Sequence, residues 1–411
     1  MTSISAMAPL REPSFRWYFL SRSVNLVGST MAPVALAFGV LEVSHSASAL
    51  GMVLAAYSIP MLAFLLLGGV LADRWGRRRV IQASNVLSGL VRGAMAVLII
   101  TGQAELWSLV ALAGLNGVVV APGMPALNGI VPQLVPRAQL QQANVLLSMT
   151  RAALMVVGPG TAAVLVVTVG PGWALAIDAV TWLAAAVLLA PVVIPAPTGP
   201  AATLVAELRE GWQLFRRTTW LWLVVGAFAL LNALHEGGFN TLGPVRAKET
   251  AIGATGWGWA MSVQAAGLLI ATLFFLRWQL QRPLLVGMAG CALFGLPMMV
   301  LGWSPHTGPL LLAAFVSGIG IQTYSLGWHL AMQEHIPDEL LSRAYSYDQL
   351  GSYAAIPIGQ LAVGPLAELY GVGPVISVAG LAYVVICLAT LLSGTVRGLP
   401  RRPGQVELQP G

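Results

Sequence analysis

Glu236 follows His235 in the stretch LNALHEGGFNTLGP, inside one of the long apolar runs of this 411-residue chain. Removing a carboxylate from water disfavours its charged form, so a buried glutamate beside an imidazole is equipped to take up and release a proton near neutral pH. Two glycines and a later proline loosen the helix there. A second reading stands beside the first: both groups lie near the outer mouth of a membrane and are simply hydrated. A charge at mid-bilayer costs about 2.5–3.5 kcal/mol on insertion scales, so every other charge in these runs also needs a partner or a purpose.

Asp178, in AIDAVTWLAAAVLL, is another proton-binding candidate, yet its depth matches that of Arg92. At about 1.5 Å per residue, Arg92 lies about 18 Å from the inner edge. Asp178 reaches a similar depth in a roughly 30 Å core. A scaffold ion pair between the two is the favoured reading. Arg151 either attracts an anionic substrate or pairs with a carboxylate. Arg22 and Asn25 share that ambiguity, and Arg22 has the further option of snorkelling to the interface. Gln264, Gln322, Tyr324 and His329 are polar residues that either line a cavity or hydrogen-bond helix to helix.

Charge is concentrated in GGVLADRWGRRRV, residues 68–80. Asp73, Arg74, Arg77, Arg78 and Arg79 fall within seven positions of a chain that is only 9% charged. Chain topology alone accounts for the arginines. It does not account for Asp73, Gly69 or Gly76.

The elements that must position these residues are membrane helices. With 57% hydrophobic residues and a mean hydropathy of +0.79, the chain is far from a soluble domain of about 45–50% apolar and 25% charged residues. Twelve spans of roughly 20 residues or more are expected, near 15–41, 48–72, 80–102, 105–127, 142–169, 172–194, 219–243, 255–276, 283–303, 308–330, 344–369 and 373–395. Turns rich in Gly, Pro or Ser, such as VSHSAS, TGQAE and GWSPHTG, separate them. Of 21 Lys and Arg, sixteen fall on the side of the termini and only Arg246 and Lys248 on the other. The positive-inside rule then puts both termini in the cytoplasm and the chain in the plasma (inner) membrane. This placement also turns the net charge of +6 into topology, which argues against nucleic-acid binding. Trp257 and Trp259 fit an interfacial aromatic belt.

The longest interruption, PAPTGPAATLVAELREGWQLFRRT, divides the chain into a six-helix half at 1–195, a cytoplasmic linker at 196–218 and a second six-helix half at 219–411. At an offset of 201, residues 136–172 align without gaps on 337–373. The identities include Pro136/Pro337, Gly158/Gly359, Gly170/Gly371 and Gly172/Gly373. Loop prolines and turn glycines are where geometry restricts the residue, so the match points to a duplication. Paired six-helix halves of this kind bind substrate between them.

The 68–80 stretch carries a resemblance to the major facilitator superfamily, whose loop between helices two and three reads G-x-L-A-D-R-x-G-R-[KR]-x. Gly69, Leu71, Ala72, Asp73, Arg74, Gly76, Arg77 and Arg78 match it at every defined place. The second half keeps only Arg277 and Arg282 of the corresponding block. The resemblance implies an all-α fold of twelve transmembrane helices in two pseudo-symmetric halves. It also implies that this loop is a conformational latch, with Asp73 near the start of helix eleven, LSRAYSYDQLGSY. A carboxylate there gains about 0.3–1 kcal/mol from the helix dipole, up to about 2 when partly buried. In MVVGPGTAA, Gly158–Pro159 half-matches a motif of proton-coupled drug exporters, with Ala162–Ala163 where those carry glycines. VPRAQLQQANVLLSMTR, the aspartate of AIDAVTWLAAAVLL and AELREGWQLFRR resemble the subgroup of macrolide and siderophore exporters.

The expectation is a proton antiporter exporting hydrophobic small molecules by alternating access, monomeric, with protons and a small-molecule substrate as partners. Metabolite uptake or facilitation on the same fold, and a membrane sensor that does not transport, are the alternatives. The sequence holds no Walker loop, zinc-binding helix motif or nucleophile elbow, so no enzyme activity is expected. Cys291 and Cys387 have no metal-ligand spacing, and no metal or cofactor is implied.

Overall fold

The computed structural model describes residues 7–193, 212, 215–275, 277–278 and 280–400, except for the side chains of 65–74, 125, 128–129, 338–339 and 342–343. Every regular element among the described residues is a helix. Eleven are long and apolar enough to cross a membrane, and Leu106–Val120 is a shorter apolar helix. After a turn at 121–122 it continues as Gly123–Ile130, which completes the fourth span. The other spans, in order, are Pro13–Ser44, Ala47–Trp75, Arg77–Ile100, Leu140–Thr168, Pro171–Leu189, Thr219–Glu249, Gly253–Phe275, Pro283–Trp303, Thr307–His335, Ala344–Tyr370 and Val372–Thr390. Most of the linker expected at 196–218 lies outside the described residues. At its end Trp212 and Phe215 stack 5.9 Å apart, and Tyr347 of span eleven packs on both.

Local chemistry sets the ends and breaks. Span one stops at His45, which takes the left-handed conformation (φ 51°), and Ser46 caps span two by accepting from the Ala49 amide at 3.3 Å. Gly76 joins spans two and three at φ 83°, a backbone that a side chain disfavours. Spans four, nine and eleven each break two to four residues before a proline: at 121–122 before Pro125, at 293–294 before Pro297, and at 354–355 before Pro357. A proline ring clashes with the carbonyl four residues back and withholds the amide that would bond it. Pro33, Pro60, Pro159 and Pro365 are accommodated inside continuous helices.

The chain forms two compact units. The first takes residues 1–201 together with 244–262 and 360–365; the second takes 202–243, 263–359 and 366–411. Within the first unit, span one packs on spans five and six, span three on span six, and span two on span four. Within the second, the counterparts of those pairs recur: span seven against eleven and twelve, and span nine against twelve. Span eight against ten completes the set, with Gly318 pressed on the Gln264 carbonyl and Gly267 on that of Phe315.

The duplication is visible in the backbone. Gly170 and Gly371, which open spans six and twelve, have φ/ψ of 95°/156° and 86°/149°. Pro136 and Pro337 agree as closely, at −56°/149° and −57°/141°. Gly158 lets span five approach Thr30 of span one, as Gly359 lets span eleven approach Ala233 of span seven.

The segments that join the first unit from later in the sequence are bound by small residues and one cation. A Cβ at Gly258 would stand 2.6 Å from the Pro159 carbonyl oxygen, and Ser262 Oγ accepts from the Gly160 amide at 3.0 Å. Gly364 lies against Ser48. Lys248 Nζ donates to the Leu41 carbonyl at 2.7 Å. Trp257, expected at the interface, is instead buried in this unit at 3% exposure, whereas Trp259 is half exposed.

Candidate functional site

In the first unit Arg92 of span three and Asp178 of span six form an ion pair. Asp178 is completely buried, and its second oxygen accepts from Trp182 Nε1 at 3.1 Å. The Trp182 ring also lies 5.2 Å from the Arg92 guanidinium carbon, within cation–π range. Gly28 of span one admits this assembly, because a Cβ there would meet Asp178 Oδ1 at 2.6 Å.

Arg22 and Asn25 lie about two turns and one turn nearer the start of span one than Gly28. Arg22 Nη1 donates to Asn25 Oδ1 at 3.0 Å. Asn25 is three residues further from the helix start, so the guanidinium reaches into the span and does not snorkel toward its near end. Both residues line a small cleft of about 10 Å³, room for about one water-sized group, with Tyr18, Ser21, Ile81, Asn85, Leu127 and Leu189. Asn25 is buried, and its Nδ2 donor has no hydrogen-bond partner. Arg151 of span five stands close enough to Arg22 for their charges to repel. Helical spacing explains this: Arg151 is seven residues below Gly158 and Arg22 eight below Thr30, the two residues where spans five and one touch.

In the second unit Glu236 opens a π-helical turn, Glu236–Thr241, near the middle of span seven. The widened turn is closed by Thr241 Oγ1, which donates to the Glu236 carbonyl at 2.8 Å. Single π turns inside α-helices recur at functional sites. Glu236 Oε1 accepts from Asn240 Nδ2 at 3.0 Å and lies 3.7 Å from His235 Nδ1. The imidazole stacks on Phe294 at 4.2 Å.

Asp348 of span eleven is a second carboxylate in this unit, and the sequence reading passed over it. Trp328 Nε1 donates to Oδ2 at 2.9 Å and Ser352 Oγ to Oδ1 at 3.0 Å. Among the described residues no Lys or Arg pairs with it. His329, Tyr324 and Tyr345 are the titratable groups around it. The signal was present in the sequence, since the expected span 344–369 contains Asp348 near its edge.

The other polar candidates are dispersed. Gln264 Nε2 donates to Ser317 Oγ at 2.8 Å, tying span eight to span ten. Tyr324 stacks on Phe228 with ring centres 4.1 Å apart. His329 is exposed beside Tyr345, with Nδ1 2.6 Å from the Ser325 carbonyl. Gln322 is half-buried in the same span. In the 68–80 loop the side chains of Asp73 and Arg74, and the surroundings of Gly69, lie outside the described residues. Arg77 and Arg78 open span three, and Arg78 Nε is buried without a partner. Gly158 and Pro159 sit where span five packs on spans one and eight.

The whole chain aligns with known proteins. It is 23% identical to macrolide efflux protein A of Streptococcus pyogenes over 94% of this chain and 97% of that protein. It is 25% identical to the enterobactin exporter EntS of Citrobacter koseri, over 95% and 94%. In structure it matches a mutant form of the nucleoside transporter NupG with a TM-score of 0.76 at 12% identity, over 92% of this chain and 99% of that one. The peptide transporter POT in complex with sulfate gives 0.71 at 15% identity, over 97% and 100%. The model of the Major Facilitator Superfamily matches residues 18–360. That extent, on a bundle of twelve apolar helices in which packing recurs between halves, makes this chain a membrane transporter of the Major Facilitator Superfamily.

Proposed function

We propose that the chain exports hydrophobic small molecules across the inner membrane by alternating access in exchange for protons, with its two halves at 1–195 and 219–411 moving about the 196–218 linker. One observation supports the direction of transport: efflux proteins align with 94% and 95% of this chain, across both halves. The excess of arginine on the side of the termini supports a cytoplasmic location for both ends.

Proton coupling needs carboxylates that can change charge without breaking the scaffold. Asp178 is a poor candidate, since its charge holds Arg92. Asp348 is a better one, because Trp328 and Ser352 bind it through neutral donors, and Glu236, which accepts from Asn240 beside the His235 imidazole, is the other. The Ser352 hydroxyl can turn to accept when Asp348 is protonated, so the site suits both states. One proton crossing 100 mV supplies about 2.3 kcal/mol, enough for a more than tenfold substrate gradient. The 68–80 loop, with Gly69, Asp73, Arg74, Gly76, Arg77 and Arg78, is the proposed cytoplasmic latch between conformations.

The test is flux in proteoliposomes under an imposed proton gradient, with a panel of lipophilic cations, a macrolide and a siderophore. Outward substrate movement driven by inward protons, and lost in Glu236→Gln or Asp348→Asn, is the expected result. Equal movement without a gradient would make the protein a facilitator.

A further inference from the structure

We infer that the cleft at Arg22 and Asn25, with Arg151 beside it, holds the anionic group of the transported molecule, so that the substrate is an amphiphile bearing a carboxylate or a comparable acid. This rests on the transport reading and narrows it to a substrate class. Among the described residues that line the cleft, none carries a negative charge. Arg22 has given one N–H to Asn25 Oδ1, and Asn25 turns its buried, unpartnered Nδ2 to the same place. Arg151 adds a second guanidinium within repulsive range. The Tyr18 hydroxyl lines the cleft as well.

A guanidinium inside a membrane bundle costs energy, and Arg151, exposed on span five, adds its repulsion to Arg22. Elsewhere in the same unit the chain solves the problem of a buried cation with a carboxylate, as Asp178 does for Arg92. For Arg22 and Arg151 no carboxylate pairs with either among the described residues. A guanidinium beside an unsatisfied amide donor suits an anion, and a guanidinium fork matches a carboxylate in geometry. Leu127, Leu189 and Ile81 supply the apolar wall that such an acid's hydrocarbon part would contact. A protonated amine would meet the repulsion of both arginines.

The anion has two conceivable sources, the transported molecule and the phosphate of a lipid headgroup, and the experiment separates them. The full-length protein is reconstituted in phosphatidylcholine alone, or with a third of phosphatidylglycerol. Binding and gradient-driven flux are measured for three dansyl amphiphiles of equal length ending in a carboxylate, a primary amide or an amine. The wild-type protein is expected to bind the acid at least tenfold more tightly than the amide, in either lipid. Arg22→Gln and Arg151→Gln should each remove most of that preference without weakening the amide, and Arg22→Lys should keep part of it. Should the glutamine variants not fold, the wild-type order of acid, amide and amine still decides the matter.

Equal binding of the three probes overturns the inference, even where flux continues and the transport reading survives. An acid preference that phosphatidylglycerol abolishes assigns the site to lipid and also overturns it. Tight acid binding without driven flux keeps the anion site and defeats the export reading instead.

Discussion

Arg92 and Asp178 are ion-paired between spans three and six, and Trp182 touches both partners, with its N–H on the carboxylate and its ring near the guanidinium. Span one closes over them through Gly28. The pair therefore fastens three helices of the first unit at one point. Its charges are fixed by mutual need, which separates it from Asp348, which accepts from Trp328 and Ser352.

Asp178→Asn should leave Arg92 buried without its counter-charge. Breaking one side of a buried pair costs about 3–5 kcal/mol, so expression and the unfolding temperature in detergent should both fall. Removing both charges, in Arg92→Met with Asp178→Asn, should restore much of the loss. Exchanging the two residues should restore less, because Trp182 offers a donor to whatever occupies position 178. A single Asp178→Asn variant that melts normally but transports without regard to pH would instead make Asp178 a proton carrier.

Asp348 should respond differently. Asp348→Asn can still accept from Trp328, so folding should be nearly unaffected while the dependence of flux on the proton gradient is lost. Trp328→Phe removes a hydrogen bond that favours the charged carboxylate. Protonation then becomes easier, and the pH profile of flux should move to higher pH. His329, Tyr324 and Tyr345 face the same carboxylate, so His329→Gln is the control for a shift caused by the imidazole. Radiotracer flux across a series of external pH values reads all three.

Much of this architecture is legible in the sequence for a physical reason. Apolar runs must match the bilayer, so the spans at 80–102 and 172–194 fall within a few residues of Arg77–Ile100 and Pro171–Leu189. The 201-residue repeat was visible because backbone geometry restricts Gly170 and Gly371 to glycine. Depth alone paired Arg92 with Asp178. Sequence could not say which way a side chain points within its span. Gln264 looked as suitable for a cavity as Arg22, yet it is bonded to Ser317. Asp348 was passed over because a charge near the edge of a span looks solvated until Trp328 is seen above it. The loosening expected from Gly237 and Gly238 takes the specific form of a π turn at Glu236.

The repeat glycines give a matched pair of variants. At φ near 90°, an added Cβ costs about 1–2 kcal/mol through backbone strain alone. No other atom lies within 4 Å of a Cβ at Gly170, and the nearest at Gly371 is Pro374 Cδ at 3.6 Å. Gly170→Ala and Gly371→Ala should therefore destabilise by similar amounts, read as similar drops in unfolding temperature. A large difference between them would mean that the two halves do not share this strain.

Lys248 gives the last prediction, about the outer ends of the helices. Its ammonium donates to the Leu41 carbonyl, which also accepts from the His45 amide at 3.3 Å at the end of span one. The carbonyl end of a helix carries partial negative charge, and a cation there contributes about 0.3–1 kcal/mol when solvent-exposed. In the proposed alternating-access cycle the halves 1–195 and 219–411 part at this end, so this bond should exist in only one of the two conformations. Lys248→Met keeps most of the side chain and deletes the donor, which should shift the population toward the outward-open form about two- to fivefold. Ser48→Cys reports the shift, since Ser48 is packed under Gly364 in the first unit. With Cys291 and Cys387 replaced by alanine, labelling of that cysteine by a membrane-impermeant maleimide should speed up by the same factor. Unchanged labelling would mean that Lys248 caps span one without restraining the opening.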